Sequence, residues 1–498
     1  NQLDLAATKT LTASSFDLIT GSDNDTLTFA GALDSAGTLS VVTGAGVDQL
    51  DFQDDVNGTA VTIDLGDGNN QLDLAATKTL TASSFDLITG SDSDTLTFAG
   101  VLDSAGTLSV VTGAGVDQLD FQDDVNGTAV TIDLGDGNNQ LDLAATKTLT
   151  STSFNLSSGA GDDSITFAGM LNNIGTLDIM TGAGDDQLAM QDDVSGTAVA
   201  INLGDGINSF DLTADKTLTA ADISIVSGAD VDAITVDGLI FADSIAIDTG
   251  ADNDVINLNG SLRDTNSATD ADIGVITIAG GEGIDTINLD ANEITGRTFI
   301  TGNAGDDDIS VTRLHTRLET LDLDGGEGQD DYYIETTNID DNGDNADYLI
   351  NVLDSGTNAN DYDQLVVDGT STEDLFLIRE NYIARMHGTS LDYFNKPAVE
   401  RINYNGNING NATQTLDAEN KVSGVVSSGI IINTLAGSDE IFFDDTGTTF
   451  TVNAGDDKDT FQVGQIFGAL PSDLSDPNDA ISTTAVTSGF LSFGTSHV

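Results

Sequence analysis

The segment NQLDLAATKTLTASSFDLITGSDNDTLTFAG begins at Asn1, returns at Asn70 almost unchanged and again at Asn139 in a more diverged form. The chain therefore repeats every 69 residues, and a looser fourth copy starts at Asn208. The first two 69-residue copies differ only where Asn24 becomes Ser93 and Ala32 becomes Val101. A fixed period of this kind marks a solenoid, in which stacked units bury what no unit can bury alone. Length would otherwise suggest about three domains of ~150 residues each. The repeat replaces that expectation.

The unit divides further. Glycine-led turns start at Gly21, Gly44, Gly66 and Gly90, at steps of 23, 22 and 24 residues. With each such glycine as position zero, positions +6 and +8 are apolar: Leu27/Phe29, Leu50/Phe52, Leu72/Leu74, Leu96/Phe98. A spacing of two is the strand period, with both side chains on one face. A second alternating stretch follows, as in Leu39/Val41, Val61/Ile63/Leu65 and Phe85/Leu87. Turn-rich pieces such as Asp54-Asp55-Val56-Asn57-Gly58 separate the two. Each coil of about 23 residues reads as turn, strand, loop, strand. Stacking pairs every backbone edge in parallel. The expected fold is an all-β parallel β-solenoid, right-handed by the crossover rule, with three coils per unit. No stretch sustains a helical period, and Thr, Asp and Gly dominate.

The repetitive solenoid is expected over 1–334, with a loop inserted around Arg263–Asp272. Residues 335–430 lose the pattern and are richer in Tyr and Arg. They read as degenerate coils with bulkier packing or as a small β insertion, the former being preferred because Asp361–Val367 still resembles a coil. Coils resume over 431–465, and 466–498 form a terminal coil or tail.

Charge bears on what fills the turns. The chain has 83 Asp plus Glu against 14 Lys plus Arg, a formal net charge of −69. Such acidity disfavours nucleic acid and anionic membrane surfaces, and no apolar run reaches the ~18 residues of a membrane span. Without Cys there is neither disulfide nor thiolate metal site. All ten Glu lie at or after Glu282, so the acids of the early repeats are Asp alone. Residues 1–69 carry 11 Asp and one Lys, Lys9. Halophile-type surface acidity would share the load with Glu and scatter it.

Here the Asp residues recur at +4: Asp25, Asp48, Asp94, Asp117, Asp163, Asp186, Asp232, Asp254, Asp285, Asp307 and Asp330. Every third coil of the first units has Asn there instead, as Asn70, Asn139 and Asn208. Position +2 is Gly or Asp, the acids being Asp23, Asp92, Asp230 and Asp252. The motif returns with Asp439 and with Asp457 and Asp459. A turn with a carboxylate and several free carbonyls, stacked ~4.8 Å from its copy, offers the hard oxygens that Ca²⁺ takes six to eight at a time. These Asp residues are the candidate ligands for multiple Ca²⁺. Two carboxylates ~4.8 Å apart repel by about 3.5 kcal/mol at an effective dielectric of 20, so the column is expected to need a cation.

Gly280-Gly281-Glu282-Gly283-Ile284-Asp285-Thr286-Ile287-Asn288 resembles the nonapeptide G-G-x-G-x-D-x-U-x of RTX, or haemolysin-type, calcium-binding repeats. Gly325–Asp330 matches its first six positions, and degenerate forms include Gly44–Leu50 and Gly182–Leu188. The resemblance implies secretion, calcium-dependent folding and Ca²⁺ held between successive turns. The chain departs from the family in having one motif per coil rather than two. That places a calcium row along one edge and leaves the acid pairs of the opposite loops, Asp54-Asp55, Asp123-Asp124 and Asp192-Asp193, as turn formers or a second row. Ice-binding solenoids of the RTX type present Thr at +1 and Asn at +3. Here +1 reads Ser22, Ala45, Asp67 and +3 reads Asn24, Val47, Asn69, which is not such an array.

Other signals point away from chemistry. Lys9, Lys78, Lys147 and Lys216 form a ladder that relieves acidic repulsion. Asn-Gly at Asn57 and Asn126 reads as a turn before it reads as a sequon. Arg313, His315 and Arg317 cluster in a loop, but no nucleophile constellation accompanies them. The expectation is a non-enzymatic, secreted or cell-surface structural protein: an adhesin stalk, surface layer or extracellular filament that self-associates. The alternatives are a glycan-binding module using Tyr332, Tyr333, Tyr348, Tyr362, Tyr382, Tyr393 and Tyr404 with Arg379, Arg385, Lys396 and Arg401, or a polysaccharide lyase or epimerase. Asn1 opens at a repeat boundary without a signal peptide, which reads as a piece of a longer array.

Overall fold

The computed structural model describes residues 1–263, 274–290, 293–312, 314, 320–337, 348–356, 362–386, 399–405, 408, 415–416, 422–423, 429–443 and 450–463. The chain forms two compact units, Asn1–Ala242 and Asp243–Val498. The division falls inside the stretch read as one repeat region. Each unit is a parallel β-solenoid, and no helix occurs among the described residues.

In the first unit the +6/+8 strands stack in register. Leu27 pairs with Leu50, Leu50 with Leu72 and Leu72 with Leu96. Phe29, Phe52, Leu74, Phe98 and Phe121 form the adjacent row and are at most 1% exposed. Phe29 stacks on Phe52 and Phe98 on Phe121, each with ring centroids 5.5 Å apart. Identical side chains superpose because every coil has the same length to within two residues.

The remainder of each coil supplies two further ladders. Leu39, Val61, Phe85 and Leu108 form one. Leu33, Val56, Leu80 and Leu102 form the other. The piece expected as a plain loop thus contains a two-residue strand, Val56–Asn57, whose Val56 is fully buried. Each coil has three inward rows, not two.

In the second unit Ser244–Ala251, Val275–Glu282, Arg297–Ala304 and Thr320–Glu327 stack in parallel. Asp331–Glu335 pairs with Gln364–Asp368, and that strand with Ile430–Asn433, so the solenoid continues through the degenerate region. A β insertion is also present. Leu375–Arg379 and Tyr382–Met386 form an antiparallel hairpin, and Val399–Tyr404 adds to it antiparallel. Among the described residues of 335–430, parallel solenoid strands and an antiparallel hairpin both occur. Resumed coils appear as Glu440–Phe443 and Thr460–Val463. The loop after Arg263, the Arg313–Arg317 cluster, Tyr393, Lys396 and the segment 466–498 lie outside the described residues.

Candidate metal centre

The turn directs the +4 side chain inward. Asp25, Asp48, Asp94, Asp117, Asp163, Asp186, Asp232, Asp254, Asp285, Asp307, Asp330 and Asp439 are at most 2% exposed, as are Asn70, Asn139 and Asn208. One side-chain oxygen of each is committed. Oδ1 accepts the backbone N–H of the +4 residue one coil earlier. The pairs run Asp25 to Asp48 at 2.8 Å, Asp48 to Asn70 at 3.0 Å, Asn70 to Asp94 at 2.7 Å and Asp94 to Asp117 at 2.8 Å. The second unit repeats the ladder from Asp254 to Asp285, Asp307 and Asp330. Asp439 N–H donates to Asp459, which is half-buried.

The other oxygen is stranded. Oδ2 of Asp25, Asp48, Asp94, Asp117, Asp163, Asp186, Asp285, Asp307, Asp330 and Asp439 is buried without a hydrogen-bond donor. The nearest hydroxyl does not help: Thr89, which lies against Asp94, gives its proton to Thr112 O at 3.0 Å. An ionised oxygen buried unpaired costs several kcal/mol, so such a group takes up a proton or finds a cation. Burial accordingly pushes Asp94 and Asp307 up to about 7, Asp163 to about 6 and Asp330 to about 8. Anionic oxygens in a turn rich in backbone carbonyls fit a hard divalent cation. In the second unit the fit includes a cradle. Glycine precedes position zero at Gly280, Gly302 and Gly325, and a Cβ there would collide with Oδ2 of Asp285, Asp307 and Asp330.

Acids that spacing did not mark join the column. Asp330 N–H donates to Asp363 Oδ1 at 3.0 Å, and Asp374 N–H to Asp439 Oδ1 at 2.8 Å. Pairing of Leu323 with Val352 sets Asp354 in register with Gly325. Asp330, Asp354 and Asp363 are all buried and bring carboxylate oxygens within 4.8 Å of one another. Tyr332 donates to Asp354 Oδ2 at 2.8 Å. No glycine occupies position zero before Asp363 or Asp374; the surviving clues were Gly369, placed before Asp374 as Gly280 is before Asp285, and the strand after the acid, as in Asp363-Gln364-Leu365.

The +2 acids sit elsewhere. Asp23, Asp92, Asp230, Asp252 and Asp457 are exposed. Asp92, Asp230, Asp252 and Asp457 have φ of 77°, 76°, 80° and 86°. They occupy a left-handed position that glycine fills in other coils, and Asp tolerates it better than most residues. The structure does not bring them into the buried column.

The opposite loops are already satisfied. Lys78 Nζ meets Asp54 at 2.6 Å, Lys147 meets Asp123 at 2.6 Å and Lys216 meets Asp192 at 2.7 Å. These contacts hold the three carboxyls below their usual range. Asp55, Asp124 and Asp193 accept backbone N–H groups from Thr79, Thr148 and Thr217. A second cation row has no stranded oxygens there.

No protein-family model matches the chain, and no curated protein matches it. Among solved structures it is similar to the X-ray crystal structure of a hyperactive, Ca²⁺-dependent, β-helical antifreeze protein from an Antarctic bacterium. The two are 22% identical with a TM-score of 0.39, over 65% of this chain and 84% of that one. A likeness of that size says nothing about what this chain binds.

Proposed function

We propose that this chain is a calcium-binding structural solenoid of a secreted or cell-surface protein, serving as an adhesin stalk, surface layer or filament. The observation that carries it is the buried +4 column, in which carboxylates such as Asp94, Asp163, Asp307 and Asp330 have one oxygen bonded to a neighbouring coil and the other left without a donor. The +4 Asp Oδ2 atoms and nearby turn carbonyls would hold the ions. Bound Ca²⁺ supplies positive charge where the fold has buried negative charge, and an ion that binds only the stacked state stabilises it by mass action. Tandem units that add coils without new chemistry suit a spacer. No catalysis is assigned to the chain, and its partners are copies of itself. The charge argues against nucleic acid, and no helix among the described residues is long and apolar enough to cross a membrane.

Glycan binding through the Tyr- and Arg-richer segment finds less support. Tyr332, Tyr348, Tyr382 and Tyr404 are at most 4% exposed, and Arg379, Arg385 and Arg401 at most 5%. Those side chains are spent on packing and buried pairing.

Circular dichroism and thermal melting, with Ca²⁺ and after exhaustive chelation, test the proposal. Removing calcium is expected to lower the Tm by tens of degrees or abolish the β signal, and Mg²⁺ at equal concentration to restore little of it. Equal folding and stability after chelation would sink it.

A further inference from the structure

Two kinds of coil alternate in the first unit, and the residue just before position zero distinguishes them. Where +4 is Asp, that residue carries a hydroxyl: Thr43 with Asp48, Thr89 with Asp94, Thr112 with Asp117, Ser158 with Asp163, Thr181 with Asp186. Where +4 is Asn, it is Leu: Leu65 with Asn70, Leu134 with Asn139, Leu203 with Asn208. The three leucines are fully buried, so both members of each pair face the interior.

The hydrogen bonds explain the pairing. In hydroxyl coils the side chain donates to the carbonyl at the same position of the next coil: Thr43 to Leu65 O at 2.8 Å, Thr112 to Leu134 O at 2.7 Å, Ser158 to Thr181 O at 2.9 Å. Leucine cannot donate, and the Asn amide takes over. Asn70 Nδ2 donates to Gly66 O at 2.8 Å and to Thr89 O at 3.3 Å. Asn139 repeats this on Gly135 O and Ser158 O, and Asn208 on Gly204 O and Gly206 O. The amide orientation follows from the network, because Asn70 Oδ1 must accept the N–H of Asp48. An Asn coil therefore presents an N–H₂ to carbonyls where an Asp coil presents an anionic oxygen. At +4 it is neutral, its amide is hydrogen-bonded, and leucine stands where the hydroxyl residue would be.

A different substitute appears in the second unit. Asp374 belongs to the same ladder, yet Arg385 Nε donates to its Oδ1 at 2.7 Å and the Thr370 N–H to its Oδ2 at 2.6 Å. There a guanidinium provides the counter-charge from within the chain.

We propose that the residue before the turn glycine and the +4 residue together encode which coils take a cation. Coils with Thr, Ser or Gly before Asp hold one divalent ion each, except where an arginine already pairs the carboxylate as Arg385 does at Asp374, and coils with Leu before Asn hold none. Each 69-residue unit then binds two ions rather than three, and its charge falls from −10 to −6. The Asn coils are metal-independent spacers built into the array. The proposal rests on the calcium reading above and adds to it the count and the residues that set it.

Equilibrium dialysis of the full chain against Ca²⁺ at physiological salt with excess Mg²⁺, followed by elemental analysis, tests it. Deleting residues 70–138, one whole unit, is expected to lower bound calcium by two per chain. A drop of three would overturn the proposal and leave the calcium reading standing; no specifically bound calcium in either chain would overturn the calcium reading itself. Paired swaps give a second measure. Leu134→Thr with Asn139→Asp is expected to add one ion. Thr112→Leu with Asp117→Asn is expected to remove one and leave the circular dichroism of the calcium-loaded chain unchanged. Should the second swap fail to fold, the first still decides, and an unchanged count in it would overturn the proposal.

Discussion

At +4, exchanging a carboxylate oxygen for an amide changes the sign of what a coil offers its carbonyls. The position was legible from spacing alone, since Asp recurs at a fixed step from glycine. What each oxygen does was not legible, because spacing fixes the face a side chain takes and not its hydrogen-bond partners. The coupling of the preceding residue to +4 was visible in the sequence but carried no meaning until the interior was seen. Gly302 shows how tightly the site is built. A Cβ there would collide with Asp307 Oδ2 and come within 2.7 Å of the Gly325 carbonyl oxygen. Gly302→Ala is therefore expected to push the Asp307 carboxylate out of place and weaken calcium binding at that coil about tenfold, or ~1.4 kcal/mol. Calorimetric titration against the parent chain measures it; an unchanged isotherm would mean that Asp307 takes no part in binding.

Strands were easier to read than the pieces between them. Four residues with two apolar positions suffice to show period two, whereas Val56–Asn57 is too short to display any period. The hairpin was harder: Leu375–Arg379 and Tyr382–Met386 are buried on both faces, with every described residue in them interior, so alternation disappears. What the sequence hid most completely is the buried ion group there. Arg385 Nη1 meets Glu400 Oε2 at 3.0 Å while its Nε serves Asp374, and Thr337 N–H adds a bond to Glu400 at 2.7 Å. Arg385→Met would leave two carboxylates buried without their cation. The expected loss is about 3–5 kcal/mol, read as a shift of the denaturant midpoint at saturating calcium. The repeat supplies a contrasting prediction. Removing residues 70–138 joins equivalent positions and preserves every ladder, so the melting profile of the shortened chain stays cooperative. A deletion of 70–129, nine residues short of a unit, misaligns the apolar rows and is expected to lose much of the β signal. If both deletions behave alike, register is not what holds the first unit together.

On the scale of the molecule, a net charge of −69 conceals two populations of acid. The exposed carboxyls are solvated, whereas burial in the +4 column raises Asp94, Asp117, Asp163, Asp186, Asp232, Asp285, Asp307, Asp330 and Asp439 above their ordinary value of 3.8. Asp163 stands at about 6, Asp94 and Asp307 at about 7 and Asp330 at about 8; Glu400, buried beside Arg385, stands at about 7. The sign of the pH dependence follows. Between about pH 4 and these raised values the calcium-free native state binds protons that the unfolded chain has released, so stability falls as pH rises. The calcium-free chain is expected to melt higher at pH 5 than at pH 8, with the loss accumulating from pH 5 up to the raised values and levelling off above them. Calcium reverses the slope, because it requires the deprotonated carboxylates and protons displace it on acidification. Calorimetric melting at both pH values, on chain stripped by a chelating resin and on chain reloaded with Ca²⁺, should give two curves of opposite slope that cross. Relief of surface repulsion would not mimic this, since ordinary Asp residues titrate near 4 and leave the window above pH 5 untouched. A stripped chain whose melting temperature is flat or rises from pH 5 to pH 8 would show that the buried carboxylates are not what calcium neutralises.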